Sequence, residues 1–594
     1  MRLARACLNC HRRKIKCNGN QKGCSFCRLK NVHCEYDYKS SNRPRPTYAQ
    51  IEALKLEVQD LKYRLEVEHS FPVTKVAAVD SFQVEDNGKI AVYGSSSILY
   101  QWDPEISVNR RLEEDSRDDK LYLADFSARA LERELSGDYS QIPFLNGIDP
   151  DLARKLLQLH WERQHHAFLV TYRPLFTRDL FRGGGPYCNE FLFHTILACV
   201  SKFTDDIALM DFLPYVEELL PNAIFEYNIP NAQALLLLGA TYVSQGLIDK
   251  GWMCTGAAVR IVQSLGLHLD CSSSVSCSIK FNPEELEIRK RVLWAAFAFD
   301  RLQSLYMGKP AVLQLRDIGV PPYLRDWSEE KLVINGKNVC SVSTFCNLAN
   351  LLLLLDRIWN LLYSARSSSL LTAKVVQQEA GEIESALSDW MNKLDTMLTC
   401  DKSGAKMVAP NIVSLNLFYY VLSVMLHRPF LNSTNAIDDE KNNLLFHLTR
   451  CTDSSTAITN IVWGYRQEYT LLRAPYFVAY ALFVASTVLN ISSTLDLDEY
   501  VKRMSMVYIC LEELSVPNKG LTRVVNSLKH SISMSNFGVS DVPERITVKM
   551  DELRSLEADK VLQELEDELL FASDFNLPAF IEIPDLLDFL KDPI

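Results

Sequence analysis

Between positions 7 and 34 the sequence reads CLNCHRRKIKCNGNQKGCSFCRLKNVHC, with six cysteines, seven Lys or Arg residues and no acid. Thiolates are soft metal ligands. Two of them in a C-x-x-C pair can converge on one tetrahedral ion, and a third cysteine farther along can close on the same ion. Cys7, Cys10 and Cys17 form one C-x2-C-x6-C unit, and Cys24, Cys27 and Cys34 form a second one six residues later. Two tetrahedral sites need eight metal–sulfur bonds, so six thiolates suffice only if two sulfurs bridge. The spacing therefore predicts a compact cluster of two zinc ions. The competing readings are a one-zinc ribbon with two spare thiols, an iron–sulfur site, and disulfides. The exact doubling argues against the ribbon, and a reducing compartment, expected from the rest of the chain, argues against disulfides.

The stretches RACLNCHRRKIKC and CSFCRLKNVHC resemble the fungal zinc binuclear cluster DNA-binding domain. That resemblance implies that Cys7 and Cys24 are the bridging ligands. It departs from the family at Lys22, which stands where a proline is usual, while Asn18-Gly19 keeps the turn chemistry. A short helix in HRRKIK, between Cys10 and Cys17, would present Arg12, Arg13, Lys14 and Lys16 to a major groove. The resemblance assigns base-edge contact to Lys14, with Arg13 beside it, on a CGG-type half-site; guanine offers two acceptors there to Lys or Arg. Arg5, Arg12, Lys16, Arg28 and Lys30 are the expected phosphate contacts, which set register without reading sequence.

The elements behind this module must hold it in place. Pro44 and Pro46 break the linker 38–50. Residues 51–69 then carry Ile51, Leu54, Val58, Leu61 and Leu65 at a/d spacing, with Glu57 and Lys62 at g and e positions. β-branched residues at a and leucine at d predict a short parallel coiled coil and a homodimer. Residues 70–145 lack sustained periodicity and read as a variable, partly disordered connector.

Charge separates this head from the rest. The chain has 594 residues and net charge -11; residues 1–50 carry +10, so the remainder carries -21. A basic head on an acidic body points to double-stranded DNA as the partner of the head alone. The other ten cysteines, from Cys188 to Cys510, lie singly and give no disulfide framework. No apolar leader follows Met1, and the apolar stretches 412–426 and 476–489 are short of a membrane span. A nuclear protein with no membrane partner is expected.

From 146 to 545 apolar residues recur at helical spacing, which predicts an all-α array. HAFLVTYRPLF (166–176), GWMCTGAAVRIVQSLGLHLD (251–270), RKRVLWAAFAFDRLQSLYMGKP (289–310) and LHRPFL (426–431) resemble the fungal transcription factor regulatory, or middle homology, domain. The wording is most similar to regulators of nitrogen assimilation in filamentous fungi. Neither GGGP at 183–186 nor GKP at 308–310 completes a phosphate loop, His165-His166 lacks the H-E-x-x-H spacing, and no G-x-S-x-G occurs. Enzyme chemistry has no motif here. Trp294, Phe297, Trp359 and the leucines of 350–355 read as core, and a small-molecule effector pocket among the helices has no sequence marker.

Residues 551–594 hold 13 Asp/Glu against 3 Lys/Arg, with Phe571, Phe575, Phe580, Leu586, Leu587 and Phe589 among them. This acidic–hydrophobic text predicts an activation segment that folds on a coactivator or the general transcription machinery; a docked C-terminal helix is the alternative. The whole reads as mainly α: a two-zinc cluster domain (1–37), the linker, the coiled coil and a helical-array regulatory domain. The implied function is a dimeric regulator of RNA polymerase II genes, an activator controlling a metabolic pathway. A repressor, or a zinc scaffold acting through protein contacts, is the other class.

Overall fold

The computed structural model describes residues 6–20, 22–36, 81–84, 90–93, 97, 117–203, 212–270, 281–364, 373–432, 438–491, 496–532 and 541–556. Arg5, the linker 38–50, the seam Ile51, Leu54, Val58, Leu61 and Leu65, and residues 557–594 lie outside them. The chain divides into two compact units, Met1–Val73 and Thr74–Ile594.

The first unit is built on two five-residue helices, α1 (Leu8–Arg12) and α2 (Ser25–Leu29). The second is an array of α-helices; its described strands are two short antiparallel hairpins, Ser81–Val84 with Ile90–Tyr93 and Val333–Ile334 with Lys337–Asn338. Its helices begin where the sequence supplies a cap. Asn228 accepts from the Asn231 N–H ahead of Pro230, and Asn282 and Glu285 form a reciprocal capping box ahead of the helix Pro283–Met307.

The core runs between long helices. Fourteen of the 16 residues of Ile229–Ser244 are buried, as are 19 of the 25 of Pro283–Met307. Ile229–Ser244 returns as Ile248–Ser264 through a turn in which Gly246 takes φ 84°. The two helices then meet backbone to backbone, since a Cβ on Gly251 would lie 2.7 Å from the Gly239 carbonyl oxygen. Trp294 and Phe297 are core residues as expected, whereas Trp359, Leu353 and Leu354 are only half-buried.

Charge is also buried here. Arg291, fully enclosed, binds Glu287 at 2.9 Å and Glu329 at 3.0 Å and lies 4.7 Å from the Tyr172 ring centroid. Glu329 also bonds His165 Nε2 at 2.9 Å, and Tyr172 donates to Asp326 at 2.7 Å. Burial alone would raise the Glu329 carboxyl, but His165 and Arg291 hold it well below its ordinary value. His166 bonds Ser341 at 2.7 Å, and burial pushes its ring down to about 3. The adjacent histidines are thus taken up by protein partners on two sides of their short helix.

The described residues add three features to these expectations. The connector 70–145 contains the 20-residue helix Arg117–Ser136, anchored by Ser127 to Asp326 at 2.6 Å and by Glu134 to Arg173 at 2.8 Å. The apolar inner face of that helix is narrow, with Leu123, Phe126 and Ala130 beside Ser127, and its charged text masks the period. At the other end a helix over 542–556 crosses the expected boundary between body and tail. Val542 and Ile546 are buried, and Arg554 pairs with Glu512 at 2.7 Å. Finally, the 23-residue helix Ser341–Tyr363, with an 18-residue window of mean hydropathy 1.3, is long and apolar enough to cross a membrane, beyond the two stretches noted from sequence. Half of that apolar window is buried, and Asp356 within it pairs with Arg301 at 2.8 Å, as suits a core helix.

Candidate metal centre and nucleic-acid interface

The two halves of the first unit repeat each other almost bond for bond at an offset of 17 residues. Cys7 caps α1, its sulfur accepting from the Cys10 N–H at 3.5 Å; Cys24 caps α2, accepting from the Cys27 N–H at 3.4 Å. Each helix closes after one turn and a half on a residue in the left-handed region, Lys14 at φ 53° and Asn31 at φ 50°. Ile15 N–H then reaches the Cys10 carbonyl at 3.1 Å, and Val32 N–H the Cys27 carbonyl at 3.0 Å. The extended segments beyond these turns bring in the third thiols, Cys17 accepting from Cys7 N–H at 3.5 Å and Cys34 from Cys24 N–H at 3.2 Å.

All six sulfurs converge. Cys7, Cys10, Cys17 and Cys24 form one set, Cys7, Cys24, Cys27 and Cys34 another, and within each set every sulfur lies within 4.8 Å of the others. The sets share Cys7 and Cys24, whose sulfurs are 3.7 Å apart; Cys7–Cys27 and Cys10–Cys24 are 3.6 Å. Zn–S bonds of about 2.3 Å give a tetrahedron with edges of about 3.8 Å, so the donor set fits zinc. Sulfurs at 3.6–3.7 Å are not disulfides, which need about 2.05 Å. In the metal-free state burial would raise the Cys24 thiol, but the Cys27 N–H and neighbouring thiols draw it down to about 6; burial pushes Cys27 up to about 12. Zinc takes every ligand as thiolate, so loading releases protons and weakens in acid.

Little else holds this unit together. Tyr36 is its buried side chain besides four of the cysteines, with Ala6, Ile15 and Phe26 packed at the edge. The Tyr36 hydroxyl donates to the Asn20 carbonyl at 3.1 Å and lies 3.8 Å from Cys17 Sγ. The loop with Lys22 in place of proline is shaped by side chains instead. Asn18 accepts from the Ser25 N–H at 3.1 Å, Asn20 from the Lys22 N–H at 3.2 Å, and Arg28 donates to the Gly23 carbonyl at 3.2 Å. Sequence reasoning named Asn18 as a turn residue but missed Tyr36 and Asn20; a tyrosine two residues past the last cysteine was the available signal.

The basic residues sit unevenly on this symmetric frame. Arg12, Arg13, Lys14 and Lys16 are all exposed on the first half; their counterparts on the second are Leu29, Lys30, Asn31 and His33. No ion pair engages the four among the described residues. The expected helix between Cys10 and Cys17 is displaced: α1 starts before Cys10 and ends at Arg12. Arg13 is its C-cap, Lys14 forms the left-handed turn, and Lys16 lies beyond it, outside any helix or strand. Lys30 is exposed at the matching C-cap of α2, and Arg28 is partly committed to its loop.

A module of six converging thiols with a basic rim defines a zinc-organised nucleic-acid binding unit, and comparison with known proteins agrees. Residues 5–43 match the fungal Zn(2)-Cys(6) binuclear cluster domain, and residues 157–392 match the fungal specific transcription factor domain. The chain carries both domains and is a zinc-binding, DNA-binding transcription regulator rather than an enzyme. An uncharacterized transcriptional regulatory protein of Schizosaccharomyces pombe is 24% identical over 97% of this chain and 95% of its own length. The nitrogen assimilation transcription factor nit-4 of Neurospora crassa is 22% identical, covering 82% of this chain and 51% of its own. The activatory protein CHA4 of Saccharomyces cerevisiae is 22% identical over 72% of this chain and 73% of its own. No solved structure matches.

Proposed function

We propose that this protein is a nuclear, dimeric activator that holds two zinc ions per chain and reads CGG-type half-sites in the control regions of metabolic genes. The observation that carries the reading is the pair of four-sulfur sets sharing Cys7 and Cys24, with Arg12, Arg13, Lys14 and Lys16 exposed at the end of the first capped helix. Lys14 is the base-reading residue. Arg13 stands beside it, and Arg5, Arg12, Lys16, Arg28 and Lys30 hold the backbone. Dimerisation runs through Ile51, Leu54, Val58, Leu61 and Leu65. The name of the activatory relative and the acidic, aromatic composition of the tail support activation. The name of the nitrogen assimilation factor supports a metabolic target.

Binding to duplexes that carry CGG, compared with permuted triplets across a salt series, tests the reading. Sequence preference that survives as salt weakens overall affinity is expected; equal affinity for both duplexes would leave a scaffold acting through protein contacts. Leu54→Glu with Leu61→Glu should turn the DNA-bound dimer into a monomer by sedimentation. Residues 557–594, fused to an unrelated DNA-binding domain, should drive a reporter and lose that activity on Phe575→Ala, Phe580→Ala and Phe589→Ala.

A further inference from the structure

A depression of about 860 Å³ opens between the turn at Gly246 and the segment from Lys519 to Ser527. Lys519 and Arg523 stand in its wall, both exposed, with no ion-pair partner among the described residues. They belong to a run from Leu514 to Ser540 that holds three Lys or Arg, one His and no acid, in a body that is otherwise acidic. Ile248 lines the same hollow and is 42% exposed; Leu247 beside it is 42% exposed and Val516 68%. The surface thus offers cations and apolar side chains together, at a volume suited to a few side chains.

The course of the last described helix points to an occupant. The helix over 542–556 runs alongside Leu497–Ser515 in the same direction, Ser505 Oγ donating to the Ile546 carbonyl at 3.1 Å and Arg554 pairing with Glu512 at 2.7 Å. Glu512 also reaches Lys529 at 3.8 Å, on the helix Thr522–Ile532 that bears Arg523. The chain therefore leaves the described body at the end where the depression lies. The remaining segment, 557–594, holds 11 Asp/Glu against 2 Lys, interleaved with Phe571, Phe575, Phe580 and Phe589. At about 3.3 Å per extended residue, about ten residues reach some 33 Å, ample to turn back into the hollow.

We propose that the acidic–aromatic segment 557–594 docks in this depression, its carboxylates on Lys519 and Arg523 and its apolar side chains against Ile248, and is thereby withheld from its coactivator. The regulatory consequence rests on the reading of the tail as an activation segment; the docking does not.

Carbodiimide coupling of the full-length, zinc-loaded protein tests the contact, because it joins an amine to a carboxylate only where the two already touch, the carbodiimide taking up the water released. The expected product is an intramolecular amide between Lys519 and a carboxylate of 557–594. It should fade in about 1 M salt, where the screening length falls to about 3 Å, and drop several-fold in Arg523→Glu. DNA binding by Arg523→Glu should match the parent, showing that the chain is folded, while its reporter output rises in a tail-dependent way. Coupling of the tail to Lys14 or Lys16, coupling to Lys519 that grows with protein concentration, or no coupling at Lys519 would each overturn the docking. A fusion that activates without coupling at Lys519 removes the docking alone; coupling with a silent fusion removes the activation reading alone.

Discussion

The cysteine module and the helical body solve the same problem with opposite means. The body buries long apolar helices and can enclose an ion network around Arg291, because Glu287, Glu329, Asp326 and Tyr172 satisfy it from several elements at once. The module has a single buried tyrosine beyond its cysteines and spends its surface on cations. A segment of that size cannot bury enough apolar area to fold unaided, so the metal must supply what a core would. The difference teaches that one bound ion class can free a surface for recognition: Cys10 is the one buried side chain of α1, and the rest of that helix is spared from packing.

Chelation gives the largest break between the two regions. Structural zinc contributes roughly 10–16 kcal/mol of apparent folding free energy in small zinc domains. A strong chelator should therefore unfold residues 6–36 and abolish DNA binding, while the helical circular dichroism of the body persists. Equal loss of both signals would mean the body also depends on metal.

Next comes the buried charge. Arg291→Met leaves Glu287 and Glu329 facing each other without a cation, and breaking a buried pair this way costs about 3–5 kcal/mol. Thermal unfolding should show the body destabilised and zinc content unchanged. Arg129→Ala, which removes an exposed pair with Asp125, should leave the body's unfolding where it was. A cost at Arg129 similar to that at Arg291 would contradict the distinction between buried and screened charge.

A smaller effect separates residues within the module. Lys14→Gly keeps the left-handed turn and removes the amine, so folding should survive while discrimination at one base pair falls by about 1–3 kcal/mol. Lys16→Ala should weaken binding to all sequences alike and reduce the salt slope by about one. Equal losses on specific and random duplexes for both variants would place the reading residue elsewhere.

How much of this was legible in the sequence differs by region for physical reasons. The cysteines announced themselves because metal ligation fixes residue type and spacing together. The end of α1 did not, since a lysine at positive φ breaks the usual preference; the 17-residue repeat carried the clue by aligning Lys14 with Asn31, a residue that tolerates that turn. The helical body was legible from apolar period. Arg117–Ser136 was not, because one narrow inner face is set among acids and bases, and Leu121, Leu131 and Leu135 on the outside blur the period. Arg291 and Glu287, four residues apart, carry no local mark of burial in the sequence; the loop carrying Asp326 and Glu329 closes over them in the fold.

Metal stoichiometry measures the central contrast most directly. Native mass spectrometry of the intact chain, paired with thiol alkylation, should find two zinc ions per chain, with Cys7, Cys10, Cys17, Cys24, Cys27 and Cys34 all protected until chelator is added. One zinc per chain with two of these thiols open to alkylation would contradict the shared-sulfur cluster, and with it the account of how a module without a core presents Lys14 to DNA.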